Sequence, residues 1–217
     1  MKQQQSTNQR ATWLIERFKD QLPACGFEHI PARHQFRKVN PTGFQNIIYS
    51  ITNYDDLSIV DIFVGIRNDA VEQLALPFLQ GANQHVKDLN TIVASIRSFL
   101  PDTPNRFKIY TPKDVQNTVN QSIDFLNNNG FGLLEKLHTL THLNALLNDL
   151  NQKDLKWSAN PYNRAVRALI AARLTFHPDF ERLAQYYLDD LDQRYTIPKH
   201  LNRFKELVVF LENYSVN

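Results

Sequence analysis

The spacing of apolar residues changes from a helical period to a strand period and back again along this chain. Near the N-terminus, Leu14, Phe18 and Leu22 recur at every fourth position beside charged residues, which predicts an amphipathic helix over residues 8–22. From residue 112 onward, apolar residues again recur every three or four positions. The chain therefore begins with one helix and ends with a series of helices.

Alternation of apolar and polar residues between these helical regions predicts an antiparallel sheet. The segments 32–39, 44–52 and 57–66 are rich in β-branched and aromatic residues, and short runs of turn-forming residues separate them. A further hairpin is expected from strands at 91–100 and 107–110, although residues 82–100 suit a helix as well as a strand. This gives about five strands.

Local signals divide the second half of the chain into helices. Thr111, Pro112 and Asp114 form an N-terminal cap signal, and the Asn-Asn-Asn-Gly run at 127–130 predicts the end of the helix they start. Leucines then recur every three or four residues over 133–151, which predicts one long helix, and three more helices follow.

These elements predict an α+β fold, with an N-terminal helix and an antiparallel β-sheet followed by an all-α C-terminal helical bundle. The expected boundary separates an α+β region at 1–111 from a helical region at 112–217. The 24 basic and 22 acidic residues are divided almost evenly between the two regions, and no Gly/Ser-rich or Pro-rich linker joins them. We therefore expect both regions to pack into one compact unit.

Composition excludes several classes of protein. A single cysteine cannot form an internal disulfide or a Cys-based zinc cage, so a disulfide-rich secreted domain is excluded. A formal net charge of +2 gives no overall attraction to nucleic acid or to an anionic membrane. No apolar run approaches the roughly 20 residues of a membrane span, and the N-terminal segment lacks the apolar core of a secretory signal. The expected location is cytoplasmic.

Asp61 is the polar residue that the predicted sheet explains least. It lies in the middle of the third strand, on a face that is otherwise apolar, where a carboxylate is costly unless it is paired. Asn46 and one of His34, Arg37 or Lys38 are its expected cross-strand neighbours. The ligand-binding candidates are therefore Asp61, His34, Asn46 and Arg37, and a structural ion pair of Asp61 is the alternative.

Other chemistry-bearing residues lack a complete motif. His138 and His142 have the four-residue spacing of a helical metal site, but the glutamate of a zinc protease motif is replaced by Thr139 and no third ligand is evident. Cys25 has no catalytic context and fits a small buried residue. No phosphate-binding loop or nucleophile motif is present, so we expect no metal and no cofactor. The sequence identifies no catalytic residue and leaves catalysis open, with an enzyme as the less favoured class.

A local excess of basic residues near the N-terminus raises nucleic-acid binding as an alternative. Arg33, Arg37 and Lys38 precede Tyr49 and Tyr54, and basic residues interleaved with aromatic ones can hold a phosphate backbone. The excess is small for a nucleic-acid footprint, so nucleic acid is not the expected partner.

Several segments of the chain resemble a bacterial family that is known as a domain of unknown function. The opening helix, the strand positions and part of the helical tail carry the resemblance, at 25–27 (CGF), 35–37 (QFR), 44–51, 64–67 (VGIR), 167–173 (RALIAAR) and 177–180 (HPDF). The resemblance implies a bacterial cytoplasmic protein without an established activity, and it transfers no catalytic residue.

The sequence thus favours a non-enzymatic protein-interaction module of a regulatory or immunity type, with a protein partner and no membrane. The first alternative is a small-ligand binder or hydrolase-like enzyme with a polar pocket around Asp61. The second is a weak nucleic-acid binder.

Overall fold

The computed structural model describes residues 2–80, 86–100, 106–150, 157, 160–195 and 198–215. It confirms the α+β fold, with an N-terminal helix, an antiparallel sheet and several helices in the second half. The strands are β1 Glu28–Ile30, β2 Gln35–Asn40, β3 Gly43–Asn53, β4 Ser58–Asn68, β5 Ile92–Ser95 and β6 Phe107–Ile109. The helices are α1 Lys2–Lys19, α2 Asp69–Ala75, α3 Pro112–Phe125, α4 Phe131–Leu137, α5 Leu140–Leu147, α6 Pro161–Leu174, α7 Phe180–Arg194 and α8 Pro198–Glu212.

The chain forms two compact units, each built from two separate stretches of sequence. The first unit contains residues 1–66 and 93–135, and the second contains residues 67–92 and 136–217. This differs from the predicted division into 1–111 and 112–217. Helix α3 belongs to the sheet-containing unit because it packs against α1 and β6 there, whereas α2 packs against α6 in the second unit.

The β1–β2, β2–β3 and β4–β6 pairs are antiparallel. The strand order of the sheet is β1-β2-β3-β4-β5, with β6 also paired to β4. The predicted hairpin between 91–100 and 107–110 is therefore wrong, because β5 and β6 both pair with β4. The first of these strands is only four residues long. Ser95 ends it by capping a 3₁₀ turn over Ile96–Phe99, with its hydroxyl accepting from the Arg97 N–H.

A short edge strand, β1, was not predicted. Between β1 and β2 the chain makes a 3₁₀ turn over Pro31–Arg33, and His34 follows with a φ of +52° in the left-handed region. The predicted strand at 32–39 therefore begins later, at Gln35. Proline at the start of the turn explains the difference, because it cannot donate to a sheet ladder.

The core of the first unit lies between the sheet and the helices α1 and α3. Phe36 on β2 is directly opposite Ile47 on β3, and the Phe18 ring of α1 packs 6.2 Å from the Phe36 ring, measured between centroids. Leu14 and Leu22 are also completely buried. Burial of side chains of this size contributes about 1.5–3 kcal/mol each, so the predicted stripe of α1 is a main source of stability.

The predicted helix stop at 127–130 and the predicted long helix at 133–151 are both wrong. Leu126–Gly130 forms a π-helical turn that continues α3 into α4. A Cβ at Gly130 would lie 2.9 Å from the Leu126 Cδ2 atom, so glycine is needed for close packing rather than to end the helix.

The helix then breaks at Thr139, which is extended at φ −76° and ψ 138°. The Thr139 hydroxyl donates to the Lys136 carbonyl at 3.1 Å, a local bond that competes with the helical ladder. The last predicted residue, 151, lies outside the described residues.

The second unit is built around α6. This helix packs against α2, α5, α7 and α8, and nine of its residues in the run from Tyr162 to Ala172 are buried. Four of the nine are alanines (165, 168, 171 and 172), which let neighbouring helices approach closely. Among the described helices, including α6, none has the combination of length and hydropathy needed to cross a bilayer.

Candidate functional site

The structure pairs Asp61 with Arg106. The β4–β6 register places Val60 opposite Phe107, so the next position along each strand brings Asp61 beside Arg106. The Arg106 Nε atom lies 3.3 Å from Asp61 Oδ2, and the Asp61 side chain is 16% exposed while that of Arg106 is 61% exposed. Asp61 is thus held by a cross-strand ion pair that is open to solvent on the arginine side.

Two of the other predicted site residues contact each other. Arg37 and Asn46 are directly opposite on β2 and β3, and Arg37 Nε donates to Asn46 Oδ1 at 3.2 Å. The Arg37 guanidinium also lies 3.7 Å from the centre of the Phe44 ring. Asn46 is completely buried, so this contact anchors the arginine along the sheet surface.

His34 belongs to a separate aromatic cluster. Its ring lies 5.6 Å from the Tyr49 ring, and its carbonyl accepts a 2.9 Å hydrogen bond from the Tyr49 N–H. Its left-handed backbone presents an exposed imidazole at the turn before β2. The four predicted residues therefore form three groups, with Arg37 and Asn46 in contact and Asp61 and His34 each beside other partners.

His29 is a member of the same cluster that the sequence analysis missed. Its Nε2 atom is 2.8 Å from the Tyr49 hydroxyl, and its ring lies 4.7 Å from the Phe36 ring. Burial, together with the charges of Lys19 and His34, lowers the pKa of His29, and burial raises the pKa of Tyr49. Both shifts favour a neutral imidazole beside a neutral phenol, and the neutral imidazole can accept a hydrogen bond from the Tyr49 hydroxyl.

Arg37, Lys38 and Tyr49 do not form one accessible surface. Arg37 and Lys38 are adjacent on β2 and point to opposite faces of the sheet. Lys38 Nζ lies 2.8 Å from Glu135 Oε1, which neutralises its charge. Tyr49 is buried, so its ring is not available for stacking on a base.

The two histidines of the HTLTH sequence are separated by the break in the helix. His138 precedes Thr139, and His142 lies on α5 with its Nδ1 atom 2.7 Å from the Thr139 hydroxyl. The described residues contain no group of three or more His, Cys, Asp or Glu side chains that could hold a metal ion. Cys25 is half-buried in a 3₁₀ turn and has a free thiol.

A cleft of about 530 Å³ lies between α1 and α3 in the first unit. Trp13 and Pro112 form part of its apolar lining. Its charged residues are two acids and two bases, Glu16, Asp20, Arg17 and Lys19. Because these charges cancel, the cleft gives no indication of a ligand class.

The strongest surface feature is Phe176, in the second unit. Helix α6 ends in a Schellman motif, in which the His177 N–H donates to the Ala172 carbonyl at 2.9 Å and the Phe176 N–H donates to the Arg173 carbonyl at 3.2 Å. Phe176 occupies the left-handed position of this motif, at φ +52°, where glycine is the usual residue. Its side chain is 72% exposed.

Further aromatic residues surround the end of α6. The Arg173 guanidinium donates to the Tyr214 carbonyl at 2.7 Å and lies 5.7 Å from the Phe180 ring centre. The Tyr214 ring lies 5.7 Å from the Phe210 ring. Val209, beside Phe210 on α8, is 58% exposed. We call this set the aromatic surface, which consists of Phe176, Phe180, Val209, Phe210 and Tyr214.

The exposed side of α7 is acidic. Two of its acids form ion pairs on the same helix, Asp179 with Arg182 and Asp190 with Arg194. Three further exposed acids have no ion-pair partner within the described part of the chain, namely Glu181, Asp189 and Asp192. Since α7 begins at Phe180, this negative charge starts at the edge of the aromatic surface.

Comparisons with protein-family models, with curated proteins and with solved structures find no match to this chain. Its function is therefore inferred from the geometry of its own residues.

Proposed function

We propose that this chain is a non-enzymatic protein-interaction module of a regulatory or immunity type, and that it binds its partner through the aromatic surface. The conformation of Phe176 carries the proposal. An L-residue in the left-handed region costs about 1–2 kcal/mol relative to the right-handed helical conformation, and glycine avoids that cost. Here a large apolar side chain occupies the position and is mostly in water, so folding alone does not account for it.

Aromatic residues of this kind are typical anchors of protein interfaces. A few buried aromatic side chains usually provide most of the binding energy of an interface, because each removes a large apolar area from water. The two backbone hydrogen bonds of the turn fix the main chain at Phe176, so little backbone entropy is lost when its ring is buried. The other members of the aromatic surface supply apolar area around it.

The charge on α7 indicates the chemistry of the partner. Glu181, Asp189 and Asp192 are exposed on α7 and form no ion pair within the described residues, where Arg182 and Arg194 pair with other acids. We therefore expect a partner protein with an apolar pocket that receives Phe176, bordered by lysine or arginine residues. Complementary charge of this kind mainly accelerates association and excludes wrong partners.

The alternatives from the sequence have less geometric support. A catalytic pocket around Asp61 would need His34, Arg37 and Asn46 to converge on it, but Asp61 pairs with Arg106 instead. A nucleic-acid surface would need Arg37 and Lys38 on one face together with accessible tyrosines. Arg37 and Lys38 point to opposite faces of the sheet, and of the two tyrosines Tyr49 is buried while Tyr54 is exposed.

Site-specific photo-crosslinking in cells of the source organism can test the proposal. A photoreactive phenylalanine analogue at position 176 should crosslink to one protein, while the same analogue at the exposed Tyr54 of the first unit should not. With the captured protein purified, Phe176→Ser should weaken binding by at least about tenfold, as expected for an anchor residue. Tyr54→Ser should leave binding unchanged.

The association rate tests the role of the acidic residues on α7 separately. Glu181→Lys should slow association with the purified partner, and added salt should slow association of the unaltered protein. Crosslinking of position 176 only to a second copy of the chain, or equal capture by positions 54 and 176, would contradict the proposed partner. Unchanged affinity of Phe176→Ser would do the same.

A further inference from the structure

A second cleft in the first unit has a different character from the one beside Trp13. It lies along β6 and the neighbouring face of α3 and has a volume of about 310 Å³, at the small end of the range for ligand sites. The lining residues are Arg97, Arg106, Phe107, Lys108, Asp114, Asn117, Thr118 and Gln121. Three of them are cations, one is an acid, and three carry uncharged hydrogen-bonding groups.

Arg97 forms the inner wall of this cleft. Its side chain is held over the Phe107 ring, with the guanidinium carbon 4.2 Å from the ring centre, and its Nη1 atom donates to Gln121 Oε1 at 3.4 Å. The residue is only 8% exposed. Burial lowers the pKa of the Arg97 guanidinium, because the surrounding protein solvates its charge less well than water does. An anion in the cleft would restore part of that solvation.

Lys108 and Arg106 border the open side of the cleft. Lys108 is exposed and has no carboxylate partner among the residues that the structure describes. Arg106 Nε lies 3.3 Å from Asp61 Oδ2, and the arginine guanidinium carries more N–H donors than this one contact uses, which can donate to a ligand. Two flexible cations thus flank an entrance behind which a buried arginine is fixed.

The single acid of the lining is already engaged by backbone groups. Asp114 Oδ2 accepts hydrogen bonds from the Tyr110 N–H at 3.1 Å and from the Thr111 N–H at 2.9 Å, as part of the cap of α3. These hydrogen bonds, together with that from the Thr111 hydroxyl, lower the pKa of Asp114. Asp114 therefore stays ionised, and the three cations of the lining exceed its single negative charge.

We propose that this cleft binds a small phosphate monoester, with the phosphate group between Arg97, Arg106 and Lys108. Arginine and lysine provide the charge-assisted donors that phosphate oxygens prefer. Asn117, Thr118 and Gln121 lie on the α3 side of the cleft, where they can donate to or accept from the hydroxyl groups of the esterified part. The volume accommodates a molecule no larger than about a mononucleotide.

Titration of the full-length protein with ribose 5-phosphate, followed by NMR of the backbone amides, tests this site. We expect ribose 5-phosphate to shift the amide signals of residues 106–108, 117, 118 and 121. Inorganic phosphate should bind more weakly at the same residues, and ribose should not bind. Lys108→Gln should weaken binding by about tenfold, as expected for loss of one charge-assisted contact. Lys113→Gln is the matched control, because Lys113 is an exposed lysine on the neighbouring helix α3 and does not line the cleft.

Four results would overturn the proposal. These are no binding of ribose 5-phosphate at millimolar concentration, equal binding of ribose, equal loss of affinity in Lys108→Gln and Lys113→Gln, and shifts confined to other residues. Tighter binding of a single-stranded oligonucleotide than of ribose 5-phosphate would identify nucleic acid, rather than a small phosphate monoester, as the ligand of the cleft. Lys108 is exposed, so circular dichroism should show that Lys108→Gln is folded.

Discussion

Glu72 on α2 and Arg167 on α6 are joined by two parallel hydrogen bonds inside the second unit. Arg167 Nε donates to Glu72 Oε1 at 2.7 Å, and Arg167 Nη2 donates to Glu72 Oε2 at 2.9 Å. Both residues are buried, so neither charge is well solvated without the other. The pair therefore fixes the position of α2 against α6, and each residue depends on its partner.

Replacing Glu72 by glutamine should destabilise the protein strongly. The buried Arg167 guanidinium would then have no counter-charge, and breaking one side of such a pair typically costs about 3–5 kcal/mol. Urea unfolding measures the loss. As a control, Asp190→Asn removes the surface pair with Arg194 and should cost less than about 1 kcal/mol. If both variants lost the same small amount, Glu72 would not be a required partner.

Two buried tyrosines in the second unit should respond in opposite ways to removal of the hydroxyl. The Tyr187 hydroxyl lies 2.9 Å from Asn148 Oδ1 and 3.2 Å from the Leu147 carbonyl, whereas the buried Tyr162 hydroxyl has no hydrogen-bond partner among the described residues. Tyr187→Phe should therefore cost about 1–2 kcal/mol. Tyr162→Phe should be neutral or stabilising, because it removes an unsatisfied polar group. Equal destabilisation in urea unfolding would contradict this assignment.

Acid should destabilise the first unit partly through His29. Burial, Lys19 and His34 all lower the pKa of His29 in the folded protein below its usual 6.5. The unfolded chain therefore takes up this proton first, and stability falls as the pH decreases from about 6.5 toward the folded pKa. His29→Asn should reduce the loss of stability between pH 7.5 and 5.5, measured by urea unfolding at each pH. An unchanged loss would show that His29 does not contribute to it.

Phe176→Gly should make the folded protein more stable. Glycine adopts the left-handed conformation without the steric cost of a side chain, so we expect a gain of about 1 kcal/mol in the free energy of unfolding. Thr175→Gly is the neighbouring control and should destabilise, because Thr175 has a φ of −98°. If Phe176→Gly is more stable and also loses partner binding, Phe176 lowers the stability of the fold and serves the interaction instead. A loss of stability in Phe176→Gly would show that the left-handed backbone at Phe176 does not destabilise the fold.

Asp61→Asn distinguishes an ion-pair role from a ligand-binding role. As a partner of the largely exposed Arg106, Asp61 should contribute less than about 1 kcal/mol to stability. Its removal frees the Arg106 guanidinium for an anion, so ribose 5-phosphate should bind about two- to fivefold more tightly. Loss of ligand binding without loss of stability would instead support the pocket around Asp61 that the sequence suggested.

Local sequence signals predicted many of the elements but few of the contacts between them. The helix cap at Thr111 and the strands β3 and β4 depend on neighbouring residues, and all three are present in the structure. The partner of Asp61 is 45 positions away and lies on a strand that the sequence paired with a different neighbour. Its pairing could not be deduced without the arrangement of β6 on β4.

His29, Glu72 and Arg167 were not predicted because their contacts, too, join residues that are distant in the sequence. His29 became part of a site only because β1 pairs with β2 and brings it to Tyr49. Glu72 and Arg167 are separated by 95 positions, and neither stands out in its own helix. Phe176 could have been singled out, since a bulky residue directly after a helix and before His177-Pro178 occupies a position that usually takes glycine.

The two interleaved stretches of each unit affect how the polypeptide is made and divided. During synthesis, residues 1–66 leave the ribosome well before β6 and α3, which complete the first unit, and 26 residues of the second unit emerge in between. The sheet must therefore wait, with part of its apolar face uncovered, until about residue 135 has been translated. For the same reason, a single truncation cannot isolate either unit, because residues 1–135 contain the whole first unit together with 26 residues of the second. A version limited to the first unit requires joining residue 66 to residue 93 through a new linker.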